Sequence, residues 1–289
     1  VLLAAYLEWG TDCVKRFNGM WAFCMYDKVK NILFLSRDRM GIKPLYYYAQ
    51  NGSFIFGSEL KLLLKSGIPK EIDRNALDYY LLLGAVPAEL SMIKNVHKLL
   101  PAHNLVYDLK NKKIQKIEKY WNRTYKTSIT NSKEAETKVI EALDKSIKRR
   151  LIADVPVGAF LSGGVDSSAI VHFMRKYIKD LKTFSVKFDH AKFDESKWAK
   201  IISDKYQTEH HEIEFSAKDI SKYLPDLVKH YDEPFGNWSM IPTFLVSKVA
   251  SEHVTVCLSG TGGDELFGGY ARHSEILTLE KLLKLPKVI

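Results

Sequence analysis

From about residue 131 onward the sequence alternates between helical and extended patterns, and this alternation constrains the fold more than any other feature. In the first helical segment, apolar residues recur at helical spacing, as at Val139, Leu143 and Ile147. Such alternation indicates a parallel sheet with crossover helices, in which ligands bind beyond the carboxyl ends of the strands. The predicted helices cover 132–151, 167–178, 195–206, 219–230 and 241–252, and the predicted strands cover 157–161, 183–188, 212–215 and 253–258.

A serine- and glycine-rich loop at residues 161–168 joins the first predicted strand to the next helix; it reads LSGGVDSS. Such a loop directs unpaired backbone N–H groups at whatever lies above the helix N-terminus, where the helix dipole also favours negative charge. Gly163 and Gly164 let the backbone approach an anion closely, and the serine hydroxyls add donors. The loop therefore predicts a phosphate site.

Asp166 stands at the start of that helix, where a Walker-type loop would place a lysine to reach the β- and γ-phosphates. A carboxylate repels a phosphate unless a divalent cation lies between them, and Mg²⁺ is usually held by one or two carboxylates plus phosphate oxygens. Two interpretations stay open from the residues alone. Asp166 is a Mg²⁺ ligand, or Asp166 or Ser167 is only the N-cap of the helix.

A second glycine-rich loop, at residues 258–270, also follows an apolar strand; it reads LSGTGGDELFGGY. It carries the adjacent acidic residues Asp264 and Glu265. Loops at neighbouring strand ends would bring Asp166 and Asp264 to opposite sides of one nucleotide, as a two-carboxylate cation site on a triphosphate. The alternative is a capped surface loop in which the five glycines serve only the turns.

Residues 1 to about 125 predict a different architecture, a layered α+β unit. Segments 21–26 and 32–35 resemble paired strands, and segments 46–48 and 54–56 resemble a hairpin that turns at Asn51-Gly52. Helical periodicity marks 58–66 and 73–83, which end at Gly67 and Gly84.

Composition narrows the class of protein. The 289 residues are enough for two domains, and 46% hydrophobic with 27% charged residues describes an ordinary globular chain. Neither a membrane span nor a signal peptide is predicted. A net charge of +9 permits a nucleic-acid partner, but the lysines are dispersed and no binding module is recognisable, so none is expected. Cys13, Cys24 and Cys257 lack C-x-x-C spacing, which indicates neither disulfides nor a zinc site and favours the cytoplasm.

One further pair of residues raises the question of a metal ion. His210 and His211 precede a predicted strand, with Glu209 and Glu212 beside them. Adjacent side chains diverge, and no third ligand is evident from the spacing. We therefore expect no metal site at this pair.

With both loops in view, the chain resembles the glutamine-dependent asparagine synthetases, relatives of the PP-loop ATP pyrophosphatases. FNGMWAF at 17–23 and RDRMGIKPLYY at 37–47 are similar to the second half of that family's glutaminase domain. The two loops and DEPF at 232–235 are similar to its synthetase domain. The resemblance implies a partial N-terminal-nucleophile glutaminase-type α+β domain at 1–125. A PP-loop, adenine nucleotide α-hydrolase-like α/β domain with a parallel sheet would follow at 126–289.

The resemblance also implies a reaction. In that family ATP activates the aspartate β-carboxylate as β-aspartyl-AMP, pyrophosphate leaves, and ammonia from the glutaminase domain displaces AMP. The attack is at the α-phosphorus, so the loop must hold the leaving pyrophosphate, which explains the missing P-loop lysine. The implied cofactors are ATP and Mg²⁺, and the implied partners are aspartate and ammonia or glutamine. No membrane is expected, and a homodimer is left open.

Roles carry over to individual residues. Leu161 and Val186 would meet adenine through backbone groups, and Ser259 and Gly260 would lie near the ribose and α-phosphate. The residues implied to grip pyrophosphate are Ser162, Gly163, Gly164, Asp166 and Ser167; the implied Mg²⁺ ligands are Asp166 and Asp264; those implied for the aspartate pocket are Asp232, Glu233 and Ser239.

Three features depart from the family pattern. Val1 stands where the family has a cysteine nucleophile, so the chain as written is not expected to hydrolyse glutamine, although a longer parent could. The family's synthetase domain also continues well beyond residue 289. Thr261 stands where the family usually carries an acidic residue associated with adenylate formation and ammonia attack. We count it with Asp166 and Asp264 as catalytic, although a hydroxyl cannot act as a base near neutral pH.

These departures leave alternatives open. A related amidotransferase or a β-lactam synthetase would use the same loops to adenylate a different carboxylate. A PP-loop tRNA-modifying enzyme would suit the basic charge but would not explain the first 125 residues. A nucleotide-binding remnant without catalysis is the alternative from a different class.

Overall fold

The computed structural model of the chain describes residues 1–125, 128–190, 194–237 and 239–283. These divide into two compact units, the first formed by Val1–Lys126 with Pro225–Trp238 and the second by Thr127–Leu224 with Ser239–Ile289. The combination of an α+β and an α/β architecture predicted from the sequence is confirmed. Among the described residues, no helix is both long enough and apolar enough to cross a membrane.

The strands of the first unit form two antiparallel sheets. They are β1 (Ala22–Asp27), β2 (Ile32–Arg37), β3 (Tyr46–Gln50), β4 (Ser53–Gly57), β5 (Val96–Lys98), β6 (His103–Asp108) and β7 (Lys113–Lys119). The strand orders are β1-β2-β6-β7 and β4-β3-β5, and both predicted hairpins are present. Asn51 and Gly52 have φ values of 52° and 74°, the left-handed conformations that a two-residue hairpin loop requires.

Short helices complete the first unit. They are α1 (Leu2–Trp9), a 3₁₀ segment (Gly10–Arg16), α2 (Leu60–Lys65) and α3 (Arg74–Leu83). The Asp73 side chain caps α3 by accepting a hydrogen bond from the Ala76 N–H, and Gly84 ends the helix in the left-handed region. Phe34, Leu35 and Leu105 are fully buried in the core of the first unit.

Two charged side chains of the motif at 37–47 hold the backbone of the first unit. The buried carboxylate of Asp38 accepts hydrogen bonds from four backbone N–H groups, those of Trp21, Met40, Ile42 and Lys43, at 3.0–3.3 Å. The Arg37 guanidinium donates to three carbonyls, those of Gly41, Lys43 and Leu99, at 2.6–2.9 Å. Both side chains are therefore occupied by main-chain partners.

The segment Pro225–Trp238 clusters with the first unit, whereas the sequence places it within the second predicted domain. Its two carboxylates explain the difference. Asp232 Oδ2 accepts a hydrogen bond from Leu60 N–H at 2.6 Å, and Glu233 Oε1 accepts one from Met92 N–H at 2.7 Å. These bonds link residues far apart in sequence, so spacing does not reveal them.

The second unit is built on a parallel sheet, as predicted. Its strands are β8 (Val157–Phe160), β9 (Lys182–Phe188), β10 (Glu209–Phe215) and β11 (Val256–Leu258), in the order β10-β9-β8-β11. Its helices are α4 (Ser132–Arg150), α5 (Val165–Arg175), α6 (Ser196–Tyr206), α7 (Ala217–His230), α8 (Met240–Ser251), α9 (Gly263–Phe267) and α10 (Ala271–Leu283). Of these, α7 belongs to both units, because the second unit ends at Leu224 and the first resumes at Pro225, within this helix.

Two neighbouring strands of this sheet, β8 and the edge strand β11, place both glycine-rich loops. β8 and β11 are neighbours and parallel, with Cys257 opposite Gly158 and Leu258 opposite Ala159. Each strand ends directly before its loop, so the two loops leave the same edge of the sheet side by side. Leu161, at the end of β8, is buried and donates its N–H to the Phe184 carbonyl of β9 at 2.8 Å.

Candidate functional site

The first loop is stabilised by its own serines. Ser162 N–H and Gly164 N–H donate to the hydroxyls of Ser167 and Ser162, each at 3.3 Å. The Ser167 hydroxyl also donates to the Gly164 carbonyl at 3.1 Å. These bonds fix the loop directly before the N-terminus of α5, where helix N–H groups lack intrahelical partners and favour an anion.

Gly164, rather than an acidic residue, is the N-cap of α5. Asp166 lies inside the first turn, and no side chain caps this helix. The interpretation of Asp166 or Ser167 as an N-cap is therefore wrong. The second loop gives the same result, because Gly262 is the N-cap of α9 and neither Asp264 nor Glu265 caps it.

Gly163 allows the loop to pack closely against α6. Its φ is +84°, and a Cβ there would lie 2.5 Å from Trp198 and Ala199 backbone atoms at the start of α6. A side chain would therefore both strain the backbone and push α6 away. Gly163 does not line the pocket that the loop helps to form. Its contribution is the close approach of loop and helix.

The second loop packs directly on the first. A Cβ at Gly260 would lie 2.8 Å from Asp166 Cβ and 3.0 Å from Ser167 N, and a Cβ at Gly263 would overlap the Asp166 carboxylate. Only glycines allow this approach. The sequence-based expectation that the loops bring Asp166 and Asp264 to one place agrees with the geometry, since both residues line one pocket.

That pocket belongs entirely to the second unit and has a volume of about 910 Å³. This is within the range typical of small-molecule sites. The residues predicted from the sequence that line it are Leu161, Ser162, Gly164, Asp166, Ser167, Val186, Ser259, Gly260, Thr261 and Asp264.

The charge of the pocket is one-sided. Four carboxylates line it, from Asp166, Glu195, Asp264 and Glu265, whereas no lysine, arginine or histidine is among its described lining residues. Within the described part of the chain, neither Asp166 nor Asp264 has a hydrogen-bond donor or a cation paired with its carboxylate. This excess of carboxylates disfavours a bare anion, and oxygen ligands of this kind suit Mg²⁺.

Glu265 differs from the two aspartates because it has a partner. The Tyr270 hydroxyl donates to Glu265 Oε1 at 2.7 Å, and this hydrogen bond lowers the pKa of the Glu265 carboxyl and raises the pKa of the Tyr270 phenol. Thr261, in the same loop, accepts a hydrogen bond from the Ser259 hydroxyl at 3.0 Å. Its own hydroxyl hydrogen is thus available to an acceptor in the pocket.

The three residues assigned to an aspartate pocket do not line this pocket. Asp232, Glu233 and Ser239 are not among the residues that line the pocket. Ser239 occupies the N-cap position of α8. The carboxylates of Asp232 and Glu233 are held by the main-chain bonds described above and by Lys61 and Lys98 respectively.

Sequence reasoning missed several lining residues. Glu195 and Ser196 follow the end of β9, and Pro242 and Thr243 belong to α8. The sequence does carry a signal for Glu195, since it is the acidic first residue of the helix predicted at 195–206, which follows a predicted strand. No comparable signal marks α8, because its contribution depends on how the helix packs over the sheet.

Comparisons with known proteins match two family models to successive parts of the chain. The family model described as asparagine synthase matches residues 138–287, and the one described as glutamine amidotransferase domain matches residues 1–121. A Methanocaldococcus jannaschii protein provisionally named asparagine synthetase (glutamine-hydrolyzing) 2 is 44% identical over 100% of this chain and 57% of its own. Asparagine synthetase (glutamine-hydrolyzing) 1 of Bacillus subtilis is 35% identical over 99% of this chain and 45% of its own.

The chain thus spans about half the length of the curated relatives it matches. Among solved structures, the ammonia-dependent NAD synthetase of Campylobacter jejuni overlaps 47% of this chain and 60% of its own at 17% identity. Its TM-score of 0.34 is too low to carry an argument.

Proposed function

Because the chain belongs to the asparagine synthase family, whose model matches just over half of it, we propose that the natural protein converts aspartate to asparagine with ATP. The β-carboxylate oxygen of aspartate attacks the α-phosphorus, and the bond to pyrophosphate breaks. Ammonia then attacks the acyl carbon of β-aspartyl-AMP, and AMP leaves. The observation that carries this proposal is the pair of loops from β8 and β11, which pack on each other around one acidic pocket.

In this proposal the first loop holds the part of ATP that leaves. Ser162, Gly164 and Ser167 present hydroxyl and backbone groups at the N-terminus of α5, where the helix dipole favours pyrophosphate. Gly163 acts by keeping the loop against α6. The backbone of Leu161 and Val186 is assigned to adenine, and Ser259 and Gly260 are assigned to the ribose and α-phosphate.

Asp166 and Asp264 would hold Mg²⁺. Their carboxylates line the pocket without a partner among the described residues, which fits a cation that arrives with the nucleotide. When bound, the ion neutralises phosphate charge during the displacement. The carboxylates themselves orient the nucleotide through that ion, and four lining carboxylates would repel a triphosphate that came without it.

The identity of the carboxylic acid that is activated depends on Thr261. Its hydroxyl can donate a hydrogen bond to a developing oxygen charge, but it cannot take the proton that ammonia loses. For Asp232 and Glu233 the contacts support a positioning role, because both carboxylates already hold backbone amides. We retain Ser239 as a residue near the acceptor, at the start of the helix that carries the lining residue Thr243.

We assign residues 1–121 to the domain that supplies ammonia from glutamine. Burial raises the pKa of the Cys24 thiol to about 11 and also raises the pKa of Cys13, so neither is a ready thiolate nucleophile. We assign the reaction to the cytoplasm, and the three free thiols are compatible with a reducing compartment. Residues outside this chain would complete glutamine hydrolysis.

The test is aspartate-dependent release of pyrophosphate from Mg²⁺-ATP, measured on the protein at its full natural length with ammonia as nitrogen donor. Release that requires aspartate, with asparagine formed in equal amount, is the expected result. Release that requires a different carboxylic acid would assign the same chemistry to another acceptor. No release with any acid, combined with intact ATP binding, would leave a nucleotide-binding protein and defeat the proposal.

A further inference from the structure

A carboxylate and two imidazoles converge on the second unit away from the pocket. They are Glu209, His211 and His253, and one ligand atom of each lies within 4.8 Å of the others. His211 Nε2 is 2.9 Å from Glu209 Oε1. The rings of His211 and His253 are stacked, with centroids 3.9 Å apart.

The strand explains two of these positions. β10 begins at Glu209, three residues earlier than predicted, because Glu209 is already in register with Lys182 of β9. Glu209 and His211 therefore share one face of the sheet. His210 points to the other face, where the hydroxyls of Thr183 and Ser185 occupy its two ring nitrogens at 2.9 and 3.1 Å.

His253 supplies the third position from a distant part of the sequence. It follows α8, whose residues Val246 and Ala250 pack on Phe184 of β9. Phe184 also stacks on the His211 ring, with centroids 5.3 Å apart. Helix packing thus brings His253 onto His211, a contact that the spacing of the histidines in the sequence does not reveal.

None of the three residues lines the pocket, although Phe184, which stacks on the His211 ring, does. Glu209 and His211 lie in the amino-terminal half of β10, whereas the glycine-rich loops leave the carboxyl ends of the strands. The Glu209 and His211 side chains are 53% and 24% exposed, so an ion from solvent can reach them.

We propose that Glu209, His211 and His253 bind a divalent transition-metal ion of the Zn²⁺ class. Two imidazoles and one carboxylate are a ligand set that Zn²⁺ accepts, whereas Mg²⁺ prefers oxygen ligands alone. A tetrahedral site with bonds of about 2.0–2.1 Å places ligand atoms roughly 3.3 Å apart. Closing the cluster from its present spacing, within 4.8 Å, requires the stacked imidazoles to rotate toward a common point, and the fourth position is left to water.

Lys182 forms an ion pair with Glu209 when no metal ion is bound. Its Nζ lies 3.3 Å from Glu209 Oε1, the same oxygen that contacts His211. The lysine charge compensates the carboxylate until an ion displaces it, so the carboxylate is not left unpaired when the site holds no metal.

The test is equilibrium titration of the full chain with Zn²⁺ against a chromophoric chelator, in excess Mg²⁺ so that oxygen sites such as Asp166 and Asp264 are saturated. One Zn²⁺ per chain is expected. His211→Ala and His253→Ala should each weaken binding by about a hundredfold, and Glu209→Gln by at least about tenfold. Circular dichroism of each variant verifies that the fold is retained.

Matched controls are Glu212→Gln, on the opposite face of the same strand, and His172→Ala, on α5. Both should bind Zn²⁺ as the unaltered chain does. Absence of stoichiometric Zn²⁺ binding by the unaltered chain, or equal affinity in the folded His211 and His253 variants, would overturn the proposal. The readout is metal content rather than turnover, so it is independent of the function proposed for the pocket.

Discussion

The motif at 37–47 in the first unit and the glycine-rich loops in the second both carry conspicuous acidic residues, but these acids have opposite surroundings. Asp38 is buried and accepts four backbone hydrogen bonds. Asp166 and Asp264 line a pocket and have no partner within the described part of the chain. The hydrogen-bonding capacity of Asp38 is used by backbone amides of the fold, whereas the carboxylates of Asp166 and Asp264 are available to a ligand.

The difference separates carboxylates whose partners lie within the fold from carboxylates that remain available to a ligand. A carboxylate whose oxygens are satisfied by main-chain amides stabilises a loop and has little capacity left for a substrate. A carboxylate without partners in a pocket without basic groups requires a cation. Asp232 and Glu233 resemble Asp38 more than the loop aspartates, because each accepts one backbone N–H and forms an ion pair with a lysine.

The largest effect is expected for Asp166→Asn. The amide is nearly isosteric but loses the charge that would hold Mg²⁺. The rate of pyrophosphate release should therefore fall about a hundredfold to a thousandfold, which is the effect of removing one electrostatic contact from other active sites. The melting temperature should stay unchanged, because no described residue pairs with this carboxylate. Asp180→Asn is the matched control, since Asp180 is exposed and outside the pocket. Equal rates in the two variants would remove Asp166 from the metal site.

The opposite result is expected for Asp38→Asn. The amide replaces a charged acceptor of four N–H groups, and we expect a loss of about 3 kcal/mol in the free energy of unfolding of the first unit. Amide hydrogen exchange should accelerate at Trp21, Met40 and Ile42. Asp12→Asn, at an exposed ion pair with Lys15, should leave the stability nearly unchanged. If Asp38→Asn instead left exchange at these amides unchanged, the distinction between the two regions would be lost.

Glu233→Gln decides between the two roles given to the segment Pro225–Trp238. A positioning role predicts a loss of about 2 kcal/mol in stability, because the ion pair with Lys98 and part of the bond to Met92 N–H are removed. The KM for aspartate should then change little. A large rise in KM at unchanged stability would return Glu233 to the substrate pocket.

Much of the fold is predictable because local patterns and global structure agree. The helix–strand alternation after residue 131 predicts the parallel sheet, and the hairpin at Asn51-Gly52 follows from turn chemistry. The pairing of the two loops is also predictable, since neighbouring strands deliver both to one edge. These features depend on short-range chemistry that is written in consecutive residues.

What could not be predicted depends on contacts between distant segments. Nothing near Asp232 or Glu233 in the sequence indicates that amides of Leu60 and Met92 satisfy them. His253 reaches His211 only through the packing of α8 on the sheet. An acidic residue is equally visible in the sequence whether or not it has a partner, so its role is decided by the tertiary structure.

The smallest effect is expected at Glu265, which stands between the two classes because it lines the pocket and has one partner. In the folded protein the Tyr270 hydrogen bond favours the ionised carboxyl and lowers its pKa. Tyr270→Phe removes that donor, so the pKa of Glu265 should rise toward its ordinary value, as carboxyl chemical shifts followed over pH would report. A lowered pKa stabilises the folded protein at pH values above the pKa of the unfolded state, and this stabilisation is lost as the pH falls through the pKa of the folded state. Because Glu265 is exposed, we expect Tyr270→Phe to change the titration of Glu265 but not the stability of the protein. An unchanged Glu265 titration would mean that the hydroxyl does not engage the carboxylate in solution, and Glu265 would then join Asp166 and Asp264 as a free acid of the pocket.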